Sequence, residues 1–254
     1  MRFTTLFTLV FVLLAGGCSL LPGRVDETKD WTADRFYSEA KEALDDGDYE
    51  TAIKYFESLE ARYPFGRYAQ QAQMEIIYAY YKYDEPASAV AAADRFIKLQ
   101  PRHPNVDYAY YMKGLANYNQ GKGLIDRYLP TDASQRDPGA ARQSFQDFDV
   151  LVRRFPESKY ANDARQRMVF LRNNLAAYEL HVAEYYLRRG AYVAAANRAK
   201  YVVEHYQGAP VMPEALAMMV KSYRHMGMDQ LANDALRILK ENYPADAALA
   251  EVGR

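Results

Sequence analysis

The sequence predicts an all-α protein, an αα-solenoid of five helix-pair repeats. Three observations carry this reading. A turn marker recurs at Gly47, Asp84, Gly139, Gly190 and Gly227. Behind each marker, at constant spacing, stands a small residue (Ala52, Ala89, Ser144, Ala195, Ala232), and then two core positions. The first core position holds Phe56, Ala93, Phe148, Ala199 and Leu236, and the second holds Leu59, Phe96, Leu151, Val202 and Leu239. Each stretch then closes at Pro64, Pro101, Pro156, Gln207 or Pro244.

Each feature has a physical reason. A glycine takes the left-handed conformation that ends one helix. Apolar residues at helical spacing give the next helix one buried stripe. Small residues let two helices approach closely, and proline cannot continue a helix. Marker-to-marker spacing is 37 residues from Gly47 to Asp84 and again from Gly190 to Gly227. The pattern resembles tetratricopeptide (TPR) repeats, whose period is about 34 residues with a small Ala, a Phe and a late Pro on the second helix.

Met1 to Gly17 reads as a signal peptide. Arg2 supplies the positive start, and Leu6 to Ala15 is an apolar run too short to span a membrane as a helix. Ala15-Gly16-Gly17-Cys18 follows, and Cys18 is the only cysteine in the chain. This resembles a bacterial lipobox, which implies that Cys18 is lipidated and becomes the mature N-terminus. Ser19, rather than Asp, implies sorting to the outer membrane. Residues 18–30, with Pro22 and Gly23, read as a lipid-anchored tether.

The repeats follow in order. Repeat 1 starts at Thr32, a good N-cap, and its helices are expected to Asp46 and from Asp48 to Arg62. An aromatic turn, Tyr63-Pro64-Phe65-Gly66-Arg67-Tyr68, leads into repeat 2, with helices over Tyr68–Tyr83 and Pro86–Leu99. Proline at a helix start costs nothing because its missing N–H has no partner there. Repeat 3 begins with Val106–Gln120, and its second helix restarts after Gly139, 18 residues beyond Gly121. Repeat 4 lacks any Gly or Pro across Ser158–Arg189, so one long helix is expected. Gly139 and Gly190 are 51 residues apart, 14 more than the period. Fourteen residues are close to four turns, so the excess keeps the apolar face in phase and reads as removable. Repeat 5 spans Pro213 to Tyr243, and the last ten residues are expected to fray. The expected divisions are 1–17 signal peptide, 18–30 tether, 31–121 a client-binding half, 122–139 an inserted loop, 140–246 an insertase-binding half and 247–254 a tail.

Composition excludes some classes. The net charge of −1 argues against a nucleic-acid partner. Residues 26–60 carry 12 acids and 4 bases, whereas residues 150–254 carry 15 bases and 11 acids, which allows two ends with different partners. Nucleophile elbows, zinc-protease helices and dinucleotide loops are all missing from the sequence, so no enzyme activity, metal or cofactor is expected. His181 and Glu184 are three apart, a weak metal signal that reads as a core or surface role. The 23 tyrosines are the unusual feature. The groove positions of the first helices are Tyr37, Tyr78, Tyr81, Tyr108, Tyr111 and Tyr118. With Tyr63 and Phe65 in the aromatic turn, they suit capture of an extended peptide ending in an aromatic residue, and the other reading of each tyrosine is packing between helices. Tyrosine gives contact area at low rotamer cost.

Several segments are more specific: Arg62-Tyr63-Pro64-Phe65-Gly66, Ile77-Tyr78-Ala79-Tyr80-Tyr81-Lys82, His103-Pro104-Asn105-Val106-Asp107-Tyr108, Arg136-Asp137-Pro138 and Val182-Ala183-Glu184-Tyr185-Tyr186. With the lipobox and the repeats, they resemble the BamD family, lipoproteins of the β-barrel assembly machinery. The resemblance implies a periplasmic scaffold held at the outer membrane through its lipid anchor. It implies a barrel insertase whose periplasmic domain binds the C-terminal repeats, accessory lipoproteins of the same complex, and unfolded outer-membrane protein C-terminal signals received at the N-terminal repeats. The family's insertase-contact arginine matches Arg198. The alternative on sequence grounds is a TPR lipoprotein that recruits peptidoglycan enzymes or proteases.

Overall fold

The computed structural model describes residues 27–120, 134 and 137–253. Cys18, the signal peptide and most of the 122–139 loop lie outside the described residues. Among the described residues there are eleven helices and no strand. They are α1 (Ala33–Asp46), α2 (Tyr49–Arg62), α3 (Arg67–Lys82), α4 (Pro86–Leu99), α5 (Val106–Asn119), α6 (Gly139–Arg154), α7 (Ala161–Arg188), α8 (Tyr192–His205), α9 (Met212–His225), α10 (Asp229–Asn242) and α11 (Ala247–Val252). Each of the first ten packs on the next, so the chain is an all-α solenoid of five antiparallel pairs.

Local chemistry sets the boundaries. The Thr32 hydroxyl accepts from the Arg35 N–H at 3.3 Å and the Asp48 carboxylate from the Thr51 N–H at 3.1 Å, so both residues cap as their types favour. At the other end of each second helix, one hydrogen bond repeats. Tyr63, Gln100, Phe155, Tyr206 and Tyr243 donate their N–H to the carbonyls of Leu59, Phe96, Leu151, Val202 and Leu239, at 2.8–2.9 Å. In all five cases the acceptor is the last residue of the buried stripe, so the helix ends one turn after its last core contact.

The repeat stripe is the core. All fifteen residues at the three recurring positions are buried, none more than 9% exposed. Gly47, Gly190 and Gly227 take φ of +81°, +73° and +67°, as a left-handed turn before the next helix requires. Asp84 holds the same conformation at φ +63° without being glycine, and Asp is among the few residues that tolerate it.

Three expectations need correction. Gly139 is not a turn marker: it is the first residue of α6, which is 16 residues long where α2, α4, α8 and α10 have 14. The stripe Ser144, Phe148, Leu151 still keeps its register because that register is anchored at the C-terminal cap. The C-terminal residues expected to fray hold a further short helix, α11. Asp246 caps α11 by accepting from the Ala248 N–H at 2.8 Å, and Ala248 and Val252 join the last core with Leu236 and Leu239. The extra turns of α7 are not removable either. Its N-terminal part closes the first core with Ala164 and Leu171, and Ala176, Leu180 and Ala183 open the second. Deleting 173–186 would remove all three.

The tightest crossing is between α5 and α6. Gly114 faces the fully buried Phe148 ring, and a Cβ there would lie 2.6 Å from two ring carbons. The Ser144 hydroxyl also donates to the Gly114 carbonyl at 2.9 Å. Gly114→Ala is expected to destabilise the protein by about 1–3 kcal/mol through overpacking. Urea denaturation checks this, and unchanged stability would show that the crossing can widen freely.

Candidate functional site

The first helices α1, α3, α5 and α7 share one face. Tyr37 on α1 lies 5.5 Å from the Tyr68 ring on α3, and Lys41 pairs with Glu75 at 3.7 Å, so α1 and α3 are tied there. The backbones of α5 and α7 stand further apart, and long side chains fill the space between them. Tyr111 stacks on Tyr160 at 4.7 Å, with Tyr108 5.8 Å from the same ring. The Tyr111 hydroxyl donates to Asp163 at 2.8 Å. Arg167 grips Asp163 and places its guanidinium 4.9 Å over the Tyr118 ring, which in turn meets Phe170 at 6.0 Å. Asn119 donates to the Tyr81 hydroxyl.

The electrostatics follow from this packing. Burial, reinforced by the hydrogen bond to Asp163, pushes Tyr111 up to about 12. Burial also raises Tyr108, Tyr81 and Tyr37. Burial works to raise Asp163, but hydrogen bonds from Arg167 and Tyr111 outweigh it and hold the carboxyl below its usual range. All these groups are therefore in their ordinary charge states at neutral pH. The face offers neutral hydroxyls and rings with two internally paired cations, Lys41 and Arg167.

The structure thus sorts the sequence-derived residues. All six first-helix tyrosines pack partly buried against the first core. Tyr108, Tyr111 and Tyr118 bridge α5 to α7. Tyr63 donates its hydroxyl to the Trp31 carbonyl at 2.8 Å, and Arg62 bonds Thr28, so the aromatic turn pins the start of the chain's described part. Phe65 is different. It is 89% exposed on a turn that Gly66 closes at φ +98°.

Arg198 lies on α8, and it has a partner within the chain. Its guanidinium donates to Glu179 Oε2 at 2.7 Å, while Arg142 on α6 donates to Glu179 Oε1 at 3.0 Å. Glu179 is 1% exposed and both arginine side chains are 45% exposed. The hydrogen bond to Glu179 raises Arg198 further above the usual guanidinium range. His181 meets the Ser134 hydroxyl at 2.9 Å and Glu184 at 3.8 Å, and no group of His, Cys, Asp and Glu among the described residues could hold a metal ion.

A family model described as an outer membrane lipoprotein (YfiO) matches residues 29–238. The chain is 43% identical over 243 residues to the outer membrane protein assembly factor BamD of Neisseria meningitidis serogroup A / serotype 4A, covering 94% of this chain and 91% of that one. It is 37% identical over 242 residues to the factor of the same name from Vibrio cholerae serotype O1, covering 95% and 99%. The chain belongs to the BamD family of outer membrane lipoproteins. Among solved structures, a thermophilic TPR protein of Thermus thermophilus is similar at 16% identity and a TM-score of 0.36, over 87% of this chain and 96% of that one. No helix among the described residues is long and apolar enough to cross a membrane.

Sequence reasoning missed Tyr160, Asp163, Arg167 and Phe170, the α7 half of the aromatic face. Their spacing puts them on one side of a helix already expected, and the pair Asp163–Arg167 has the i, i+4 spacing of a helix ion pair. It also missed Arg142 and Glu179.

The raised Tyr111 value gives a pH dependence with a definite sign. An unfolded chain ionises tyrosine near pH 10, whereas the folded site holds the proton to about 12. The stability this group contributes is therefore present below about pH 10 and lost as pH rises towards 12. Tyr111→Phe is expected to flatten the fall in stability between about pH 9 and 11.5, read by denaturant titration at each pH. An unchanged slope would mean the hydroxyl is hydrated like a free one.

Proposed function

We propose that this chain is a non-enzymatic adaptor of outer-membrane β-barrel assembly, lipid-anchored through Cys18 and facing the periplasm. It receives unfolded outer-membrane proteins at its N-terminal repeats and holds a barrel insertase at its C-terminal repeats. The observation that carries this reading is similarity to assembly factors over nearly the whole chain, with every repeat core intact. The aromatic composition of the first-helix face supports peptide capture, and the lipobox-like segment ending at Cys18 supports work at a membrane surface. Accessory lipoproteins of the same complex complete the set of partners. Contacts within the fold guide which residues we assign to the client. Phe65 is free to insert into a partner, and Tyr37, Tyr78 and Tyr81 lie at the face without bridging α5 to α7. Tyr63, Tyr108, Tyr111 and Tyr118 contribute ring edges while holding the fold.

Crosslinking in membranes, followed by identification of captured chains, tests the reading. Capture of peptidoglycan hydrolases or proteases in place of the insertase and nascent barrels would favour the recruiting-adaptor alternative. Cys18→Ala is expected to leave the protein in the soluble periplasmic fraction after a salt wash, or as uncleaved precursor. Retention of the cleaved, mature-length variant in washed membranes lacking the insertase would exclude the lipid anchor.

Phe65→Ala combined with Tyr78→Ala is expected to weaken binding of an extended peptide ending in phenylalanine. The loss should be about 1–3 kcal/mol, as for exposed aromatic contacts at an interface; Phe65→Ala alone should leave the melting temperature unchanged, whereas Tyr78→Ala adds a small melting loss because Tyr78 packs against the first core. Tyr108→Ala, by contrast, should lower the melting temperature because it opens the α5–α7 seam. Equal melting losses for Phe65→Ala and Tyr108→Ala would place Phe65 in the fold rather than the interface.

A further inference from the structure

We infer that one edge of the solenoid is a docking surface for an anionic lipid bilayer, laid against the headgroups by Arg67, Lys98, Arg102, Arg154, Lys159 and Arg165. The edge is the one where a second helix turns into the next first helix, at the α2–α3, α4–α5 and α6–α7 turns. The inference rests on the proposed anchor at Cys18 and deepens it: the acyl chains hold the protein to the membrane, and this edge sets which way it faces.

Topology brings the six cations together. Paired helices run antiparallel, so the second-to-first turns share one end of the stack and the first-to-second turns share the other. Arg67 opens α3, Lys98 and Arg102 flank the end of α4, and the rest surround the α6–α7 turn; all six are exposed. Among the described residues none of the six is in an ion pair. Instead Arg67 lies 4.6 Å over the Tyr68 ring, Lys159 5.0 Å over Tyr160 and Arg154 5.3 Å over Tyr110. Arg165 donates to the Asn162 side-chain oxygen and the Pro156 carbonyl. A ring or a carbonyl orients a cation without cancelling its charge. Several cations elsewhere are cancelled by carboxylates, as Lys41 is by Asp45, Arg95 by Glu60 and Lys113 by Asp94. At the three turns, Glu60 and Asp163 are taken by Arg95 and Arg167, which leaves Asp107 and the exposed Glu157 against the six. Residues 28–35, beside the first turn, add Lys29 and Arg35 against Asp30 and Asp34 and leave the balance unchanged.

The helix dipole explains only part of this charge. Cations suit the last turn of a helix and are disfavoured beside the first. Lys98 and Arg154 stand in last turns, but Arg67 is the first residue of α3 and Lys159 directly precedes the cap of α7. An external anion offsets that cost. The opposite edge has the reverse sign, with Asp45, Asp46, Asp48, Glu50, Asp84 and Glu85 exposed at the α1–α2 and α3–α4 turns. The start of the fold then fixes which edge lies near the lipid. Arg62 donates to the Thr28 hydroxyl at 3.2 Å and Tyr63 to the Trp31 carbonyl at 2.8 Å, so the chain enters beside the α2–α3 turn. Cys18 is ten residues before Thr28, a reach of no more than about 35 Å. An acyl chain on Cys18 therefore keeps the cationic edge close to the headgroups, where attraction to anionic lipid acts over about 8 Å at physiological salt. Phe65 rises from the same turn, so docking sets the proposed client turn beside the leaflet.

Two measurements test the surface. The first takes the full mature chain with Cys18→Ser, which no lipid can hold, and follows co-sedimentation with vesicles of phosphatidylcholine alone or mixed with phosphatidylglycerol. The unaltered edge should bind the mixed vesicles, release them as salt rises, and ignore phosphatidylcholine. Combining Arg67→Gln, Arg102→Gln and Lys159→Gln should lower the partition coefficient by about tenfold or more. Combining Lys54→Gln, Lys82→Gln and Arg189→Gln removes the same charge from other places and should change it by less than about threefold. All these side chains are exposed, so neither triple variant should shift the melting temperature. The second measurement uses the lipidated chain in the mixed vesicles. Cys18 is its only cysteine, so a fluorophore on Glu157→Cys or Asp46→Cys reports one edge at a time. A quencher on the lipid headgroups should dim the label at position 157 and spare the one at 46, and the edge triple variant should remove the difference. Equal partition of the two triple variants, equal binding to both kinds of vesicle, or equal quenching at both positions overturns the docking surface. It is overturned too if position 157 is shielded only after an insertase fragment is added, since an acidic protein then covers the edge. A chain that carries no lipid yet binds the mixed vesicles through the edge cations would sink the anchor and leave the docking surface standing.

Discussion

The whole solenoid depends on close crossing of paired helices at a small side chain. Ala52, Ala89, Ser144, Ala195 and Ala232 occupy that crossing and are at most 2% exposed. A larger residue there would force the helices apart, since protein interiors are packed at crystal-like density and have no slack for an extra methylene. The two larger positions on each second helix then fill the wedge towards the neighbouring repeat. One end cap, one small crossing and two fillers per repeat give a unit that stacks only on its own kind. That is why stability in such a fold is close to a sum of nearest-neighbour terms.

The departure from uniform stacking is α7. An ordinary first helix here is 14 or 16 residues, and α7 is 28. It serves two cores in succession, with Ala164 and Leu171 in one and Ala176, Leu180 and Ala183 in the next. Its N-terminal half stands off from α5, which leaves a gap that only long, flat or branched polar side chains can close. Tyr108, Tyr111, Tyr118, Tyr160, Asp163 and Arg167 do so. The aromatic richness of this face is therefore partly a consequence of how far apart α5 and α7 stand. Aromatic rings supply area without rotamer loss, which suits a seam as well as a binding surface.

The fold is legible in the sequence because its signal is repeated. A single Ala–Phe–Leu stripe would be ambiguous, but five in register leave no other arrangement that buries them all. What repetition does not cover is easily misread. Gly139 reads as a turn marker because the insertion before it displaces the true start of α6, and glycine is as easily the first residue of a helix. Residues 247–252 read as a tail because six residues carry little periodicity, yet Ala248 and Val252 cover the exposed end of the last pair. For the site, tyrosines on first helices are readable, whereas their division into seam and surface depends on distances between α5 and α7 that no local pattern encodes. Arg198 stands out through resemblance, but its pairing with Glu179 does not. A glutamate within a 28-residue helix reads as solvated until the flanking helices close over it.

That pairing changes what an acidic substitution at Arg198 would report. A charge reversal there sets a second carboxylate against the buried Glu179 and leaves Arg142 to balance both. Breaking one side of a buried ion pair is costly because the remaining charge stays desolvated. Loss of a partner after such a change would therefore mix interface and fold. Neutral glutamine leaves Glu179 one arginine and adds no new anion, so it separates the two contributions. The same reasoning applies wherever an interface residue also holds the scaffold. On the proposed reading it would hold at both ends, at the tyrosine seam as at the arginine pair, and Phe65, with 89% of its surface free, would be the cleanest reporter of binding alone.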